Sequence, residues 1–250
     1  MQGMLFDFLT KNMKPKTSPA QKVIAVLGMH RSGTSCLIGS LQAAGLFLGK
    51  HNTWNDHNLK GNRENDDIVK LNDELLVENG GSWKNPPAAV NWSKKHLKRA
   101  REIIASYHDH EMWGFKDPRT LLTLAGWKKL IPDMLLIGIF RHPLAVARSL
   151  QNRGSGIGVE IEKAFDLWSH YNRILLREYK QNPFPVISFD WDQKVLHEKL
   201  NGLLLDLELN RIDPENGFFS PDLRHHMQLQ EDSVPPSCWR LYRELQAICL

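Results

Sequence analysis

In Gly28-Met-His-Arg-Ser-Gly-Thr-Ser35, one arginine, three hydroxyls and two glycines fall within eight residues. The apolar run Val23–Leu27 leads into this stretch and the helix-like segment Cys36–Ala44 leads out of it. A strand, a glycine-bounded loop and a helix amino end aim several backbone N–H groups, and the positive end of a helix dipole, at one point. The chemistry that suits such a point is the holding of a phosphate or a sulfate. Arg31 and the hydroxyls of Ser32, Thr34 and Ser35 would add to the backbone donors, and Gly33 would let the chain approach the anion. In the competing reading the hydroxyls merely cap the following helix.

A second set lies in Arg141-His-Pro-Leu-Ala-Val-Ala-Arg-Ser149. Arg141 ends an apolar strand, and Ser149, eight residues on, lies about two helical turns into the next helix. Both can face one edge of a sheet and hold a further phosphate, the arginine as a forked cation and the serine as a hydroxyl donor. The alternative pairs Arg141 with a local carboxylate and makes Ser149 a small packing residue. The first loop almost matches the nucleotide-binding pattern G-x-x-x-x-G-K-[ST], but Thr34 stands where that pattern has lysine. That lysine reaches the β- and γ-phosphates of a triphosphate. The loop is built for an anion, without an obvious fit to ATP or GTP.

The elements that must position these residues follow from periodicity. Val23–Leu27, Met112–Lys116, Met134–Phe140 and Pro185–Phe189 read as strands. Helices are expected over Ser35–Ala44, Glu64–Glu78, Ser93–His108, Glu160–Tyr179 and Gln193–Leu207, with others opening at Asp117-Pro118 and at Arg141-His-Pro143. Nearly all-apolar strands alternating with helices predict an α/β fold, a parallel sheet covered on both faces. Ligands of such sheets gather beyond the carboxyl ends of the strands. The 28–35 loop, Lys116, Arg141 and Ser188/Asp190 all fall there. Trp113, Trp127 and Trp168 read as core, whereas Trp54 sits in a polar loop where it could stack on a base or a ring.

Composition narrows the class. At 42% hydrophobic and 24% charged, the chain is an ordinary globular protein, and a net charge of +4 is too small to argue for nucleic acid. Three cysteines form no C-x-x-C pair, which favours a reducing, cytoplasmic setting. No eighteen-residue apolar run suggests a membrane span, no His/Cys set has metal spacing, and residues 1–20 read as a flexible arm before one domain over 21–250.

Taken together, Gly28-x-x-Arg-Ser-Gly-Thr-Ser35 and Arg141-x(7)-Ser149 resemble the 5′-phosphosulfate loop and the 3′-phosphate motif of sulfotransferases that use 3′-phosphoadenosine-5′-phosphosulfate (PAPS). Gly61-Asn-Arg-Glu-Asn65, Trp113-Gly-Phe-Lys-Asp-Pro-Arg119 and Trp127…Pro132 are similar to bacterial members of that superfamily, and the likeness spans about residues 22–210. Leu223-Arg-His-His226 resembles the family tails only loosely. The resemblance implies a three-layer P-loop-like fold, with a mostly helical insertion at about 46–110. It implies PAPS as co-substrate, no metal, and a small-molecule, glycan or lipid hydroxyl as acceptor. PAPS has no γ-phosphate, which accounts for the missing lysine.

By this resemblance Arg31 to Ser35 hold the phosphosulfate, Arg141 and Ser149 the 3′-phosphate, and Glu64 is the general base. On residue grounds alone Glu64 is an ordinary first-turn acid, and His51, His57, Asp66 and Asp67 compete with it. Lys116 is either a strand-end lysine paired with Asp117 or a cation for the sulfuryl oxygens, and Arg31 shares that second role. Arg119 is the weaker cation, with Asp117 or Glu111 as its partner. The rival enzyme is a P-loop small-molecule kinase, and the rival of another class is a nucleotide-binding protein without catalysis.

Overall fold

The computed structural model describes residues 21–51, 61–152, 158–213 and 233–250. The expected positions at Trp54, His57 and Leu223–His226, and the arm over 1–20, lie outside them. Side chains alternate along a strand. In β1 (Lys22–Leu27), therefore, Val23, Ala25 and Leu27 enter one apolar layer while Ile24 and Val26 enter another. All five are buried, so the strand reads as one apolar run. The strands β2 (Met112–Lys116), β3 (Leu135–Phe140) and β4 (Val186–Ser188) join it in the order β2-β1-β3-β4. Every pairing is parallel, with Val26 opposite both Lys116 and Ile137, and Phe140 opposite Ser188. That register lines up the carboxyl ends of the strands.

Helices α1 (Thr34–Ala43) and α7 (Gln193–Asp206) pack on Ile24, Val26, Ile137, Ile139 and Ile187. The opposite layer holds α2 (Asp66–Glu78), α3 (Lys94–Ala105), α4 (Thr120–Leu130), α5 (Pro143–Gln151), α6 (Ile161–Gln181) and α8 (Pro236–Gln246). The fold is thus the expected three-layer α/β arrangement around a parallel sheet. Trp113, Trp127 and Trp168 are fully buried in its larger layer. Within 46–110 the described helices are α2 and α3, and Phe47 bridges Trp113 at the outer edge of β2.

Two helix starts fall two or more residues beyond the sequence reading, the other expected starts within one or two. Helix α2 begins at Asp66, because Asn65 caps it by accepting from the backbone N–H of Asp67 at 2.9 Å and of Ile68 at 3.3 Å. Glu64 is therefore not a first-turn residue; Asp66 and Asp67 are. Helix α4 begins at Thr120, three residues after Asp117. A tightened turn precedes it, in which Asp117 Oδ1 accepts from Arg119 N at 3.2 Å and Asp117 O from Thr120 N at 2.9 Å.

Candidate functional site

The loop after β1 is held by close packing. Arg31 and Gly33 both adopt positive φ, 66° and 89°. A Cβ on Gly28 would lie 2.5 Å from the carbonyl oxygen of Ile139, and one on Gly33 would lie 2.3 Å from the Phe189 ring. Gly33→Ala must then accept left-handed strain and displace an aromatic ring. It is expected to lose about 2–4 kcal/mol of stability, measured by denaturant unfolding. Ser32 is fully buried and its Oγ has no hydrogen-bond partner among the described residues. A buried unpartnered hydroxyl costs about 1–3 kcal/mol, so its presence in this loop suits a ligand oxygen. Thr34 is buried beside it.

Ser35 connects the loop to its neighbours. Its Oγ donates to Asn62 O at 3.3 Å and accepts from Lys116 Nζ at 3.1 Å. The same ammonium donates to Glu64 Oε1 at 2.7 Å. Lys116 ends β2 with its side chain 1% exposed, and Glu64, held just ahead of the Asn65 cap, is 15% exposed. Lys116 thus pairs with Glu64 rather than with Asp117. Burial pushes the Glu64 carboxyl up from its ordinary range, Lys116 opposes that shift, and nearby Asp117 adds to it.

The competing residues are placed differently. Arg119 bonds Asp117 Oδ1 at 2.8 Å and Asp73 Oδ1 at 2.5 Å, so its carboxylate partners are Asp117 and Asp73. Its pKa is raised by those carboxylates against the opposing effect of burial. His51 Nε2 lies 3.3 Å from Arg63 Nη1 and 3.2 Å from Gln42 Nε2. An arginine only donates, so Nε2 is the acceptor and Nδ1 carries the proton to Gly49 O at 2.7 Å. The lone pair of His51 is occupied. Asp66 and Asp67 are exposed on α2.

The 141–149 segment meets the 28–35 loop. Arg31 Nε donates to Ser149 Oγ at 2.8 Å, so residues 118 positions apart share one edge. Arg141 directly follows β3, with its guanidinium 5.3 Å from the centre of the Phe189 ring, and its carbonyl accepts from Trp168 Nε1 at 2.9 Å. The loop, Lys116, Glu64, Arg141 and Ser149 therefore lie along the carboxyl edge of the sheet.

No family model matches the chain, and no curated protein matches it in sequence. Solved structures do match it in fold. The sulfotransferase domain of the olefin synthase from Synechococcus PCC 7002 superposes with a TM-score of 0.51 at 17% identity, covering 95% of this chain and 91% of that one. The chain has the sulfotransferase fold. A second structure, sulfotransferase STF1 from Mycobacterium tuberculosis H37Rv, gives a TM-score of 0.36 at 15% identity over 90% of this chain and 72% of that one.

On this sulfotransferase fold, the turn that carries Arg141 is fixed by Asp190, read in the sequence only as a strand-end residue, and by His142 and Tyr242, which that reading passed over. Asp190 Oδ2 accepts from His142 N at 2.6 Å and from the Tyr242 hydroxyl at 3.1 Å. His142 caps α5 by accepting from Leu144 N at 3.2 Å through Nδ1. Burial, and then Arg141, push its pKa down to about 4. Protonation would turn that acceptor into a donor at the positive end of a helix. Between pH 6.5 and 4 the unfolded chain binds this proton and the folded chain does not. Stability is therefore complete above about 6.5 and falls by about 2 kcal/mol as pH drops toward 4. His142→Asn, which keeps a cap without titrating, should remove that part of the acid sensitivity in unfolding curves.

Phe189 was also missed, since an apolar residue at a strand end reads as core. Its ring abuts Gly33 and Arg141 and forms one wall of a mainly apolar cavity of about 370 Å³. Leu37, Ile139, Ile187 and Leu196 are among its apolar lining, and Gln193, Lys194 and His197 add polar groups. Only tertiary packing joins it to both the 28–35 loop and Arg141.

Proposed function

We propose that the protein is a sulfotransferase that moves a sulfuryl group from PAPS to an acceptor hydroxyl. The observation that carries this reading is the set of contacts along the sheet edge: Ser149 to Arg31, and Ser35 through Lys116 to Glu64. It supports the reading because the two segments proposed to bind anions, a buried cation and a carboxylate with a raised pKa share one edge. Perturbed carboxyls in such settings are general-base candidates.

The residues present fit the donor. Arg31, Ser32, Gly33, Thr34 and Ser35 would hold the 5′-phosphosulfate, and the unpartnered Ser32 hydroxyl is suited to one of its oxygens. Arg141 and Ser149 would hold the 3′-phosphate. The ribose bearing that phosphate also bears the base, so the apolar cavity walled by Phe189 is the natural place for adenine. A triphosphate would leave this second phosphate site without a purpose.

In the transfer the acceptor oxygen attacks sulfur in line with the bond to the 5′-phosphate. The new O–S bond forms as the S–O bond to phosphate breaks. Glu64 takes the acceptor proton, and 3′,5′-bisphosphoadenosine leaves with the bonding electrons. Lys116 and Arg31 offset the charge that gathers on the sulfuryl and bridging oxygens. As in phosphoryl transfer, most of the catalysis is positioning and electrostatics. No metal is required in this scheme, because Lys116 supplies a buried cation. The acceptor is a small-molecule, glycan or lipid hydroxyl, and cytoplasmic chemistry is the setting we favour. Among the described residues no helix is long and apolar enough to cross a membrane.

The test is transfer of radiolabelled sulfur from PAPS to a panel of sugars, phenols, lipids and alcohols. Label on one hydroxyl class is expected. Donor binding with no transfer across the panel would instead mark a nucleotide-binding protein without catalysis.

A further inference from the structure

Glu74 and Glu78 stand one turn apart on α2, and α3 brings His96 against them. One ligand atom from each lies within 4.8 Å of the other two. The His96 side chain is 2% exposed, and its Nε2 makes no hydrogen bond among the described residues. Nε2 nevertheless sits 3.2 Å from Glu78 Oε2, so it is aimed at the carboxylate without the alignment of a hydrogen bond. A nitrogen and an oxygen that share a tetrahedral zinc ion, each about 2.0–2.1 Å from it, are about 3.3 Å apart. We propose that Glu74, Glu78 and His96 form a binding site for a divalent transition metal of the zinc class, clamping α2 to α3.

The surroundings support the chemistry. Ser93 Oγ lies 2.9 Å from His96 Nδ1, and its backbone N lies 3.3 Å away. The backbone N–H donates, so without metal Nδ1 accepts and Nε2 carries the proton. A metal at Nε2 moves that proton to Nδ1, where Ser93 Oγ is placed to accept it, the outer partner that zinc-binding histidines use. One imidazole with two carboxylates favours zinc and its neighbours over magnesium or calcium, which take oxygen ligands. The pocket already attracts a cation. The Lys95 ammonium contacts Glu74 Oε1 and lies 3.3 Å from Glu78 Oε1, but its side chain is 67% exposed and can swing out. Arg99, 2.6 Å from Glu74 Oε2, can stay as an outer partner. Sequence spacing hides the site, because His96 is eighteen residues beyond Glu78. Glu74 lies eight residues beyond Asp66, about 12 Å along α2 from the helix end next to Glu64, given the helical rise. The site therefore stands apart from the transfer chemistry and is tested independently of it.

The full chain, stripped with a chelator, is titrated with zinc chloride by calorimetry, with magnesium chloride as control. Cobalt(II) serves as a second probe through its visible absorption in low-symmetry sites. Saturable binding of one zinc is expected, together with a rise in the thermal midpoint that magnesium does not give. Glu78→Gln, an exposed change compatible with folding, should weaken zinc binding at least tenfold, and His96→Gln likewise. Lys95→Gln should tighten it about tenfold, if the ammonium occupies the pocket nine-tenths of the time. Zinc that binds the wild type but responds to neither Glu78→Gln nor Lys95→Gln is adventitious and overturns the proposal. So does the absence of saturable binding.

Discussion

Glu64→Gln is expected to lower turnover by about two to four orders of magnitude and to leave donor affinity within a few-fold. The carboxyl is the candidate proton acceptor, and glutamine keeps its shape and a hydrogen bond to Lys116 without its basicity. The pH profile carries independent information. Burial raises the Glu64 pKa, and Lys116 reduces that rise without cancelling it. The base is active only when ionised, so the acid limb of kcat/KM should fall at a pH above the ordinary glutamate value of about 4.3. Activity then rises with pH through that raised pKa. The limb should vanish in Glu64→Gln. A variant with near-normal turnover and an unchanged profile would remove Glu64 from the mechanism.

Lys116→Met should damage both rate and stability, for one reason. The lysine is the buried counter-charge of Glu64 at 2.7 Å and the link to Ser35 at 3.1 Å. If Lys116 offsets charge on the transferring group as proposed, its loss is expected to cost about 10²–10³ in kcat. Leaving Glu64 buried without its partner should cost about 3–5 kcal/mol of stability at neutral pH. The sign with pH is fixed by the raised carboxyl. The folded state binds its proton more tightly than the unfolded state, so the missing stability is regained as pH falls and Glu64 protonates. Urea unfolding at neutral and mildly acidic pH measures this directly. The double variant Glu64→Gln/Lys116→Met should be less destabilised than Lys116→Met alone, because the uncompensated charge is gone. Equal destabilisation at every pH would show that Lys116 matters only as packing.

The frame of the fold was legible because its strands are nearly all apolar. Val23–Leu27 and Met134–Phe140 read as strands covered on both faces because they are short, continuous apolar runs, and the structure has strands there. The glycine-bounded loop and the Arg141-x(7)-Ser149 spacing were likewise local signals, and the Arg31–Ser149 contact shows that they meet. The rest depended on contacts between distant residues. Glu64 and Lys116 are 52 positions apart, and nothing in either neighbourhood predicts their pairing. The start of α2 was misplaced because Glu64, Asp66 and Asp67 all suit a first turn, and the Asn65 side chain decides between them. Asp190 and Phe189 follow a three-residue strand and act through Tyr242, Gly33 and Arg141, which other segments supply.

The donor assignment is the centre of the account, and calorimetric titration with 3′,5′-bisphosphoadenosine beside ATP–Mg²⁺ tests it most directly. The bisphosphate should bind, and Arg141→Ala should weaken it by about 10- to 100-fold, the worth of one charge-assisted phosphate contact. ATP–Mg²⁺ should show little affinity, since the loop has Thr34 in place of the lysine that grips a triphosphate. Tight binding of ATP–Mg²⁺ with none of the bisphosphate would contradict the account and point to a kinase on the same loop.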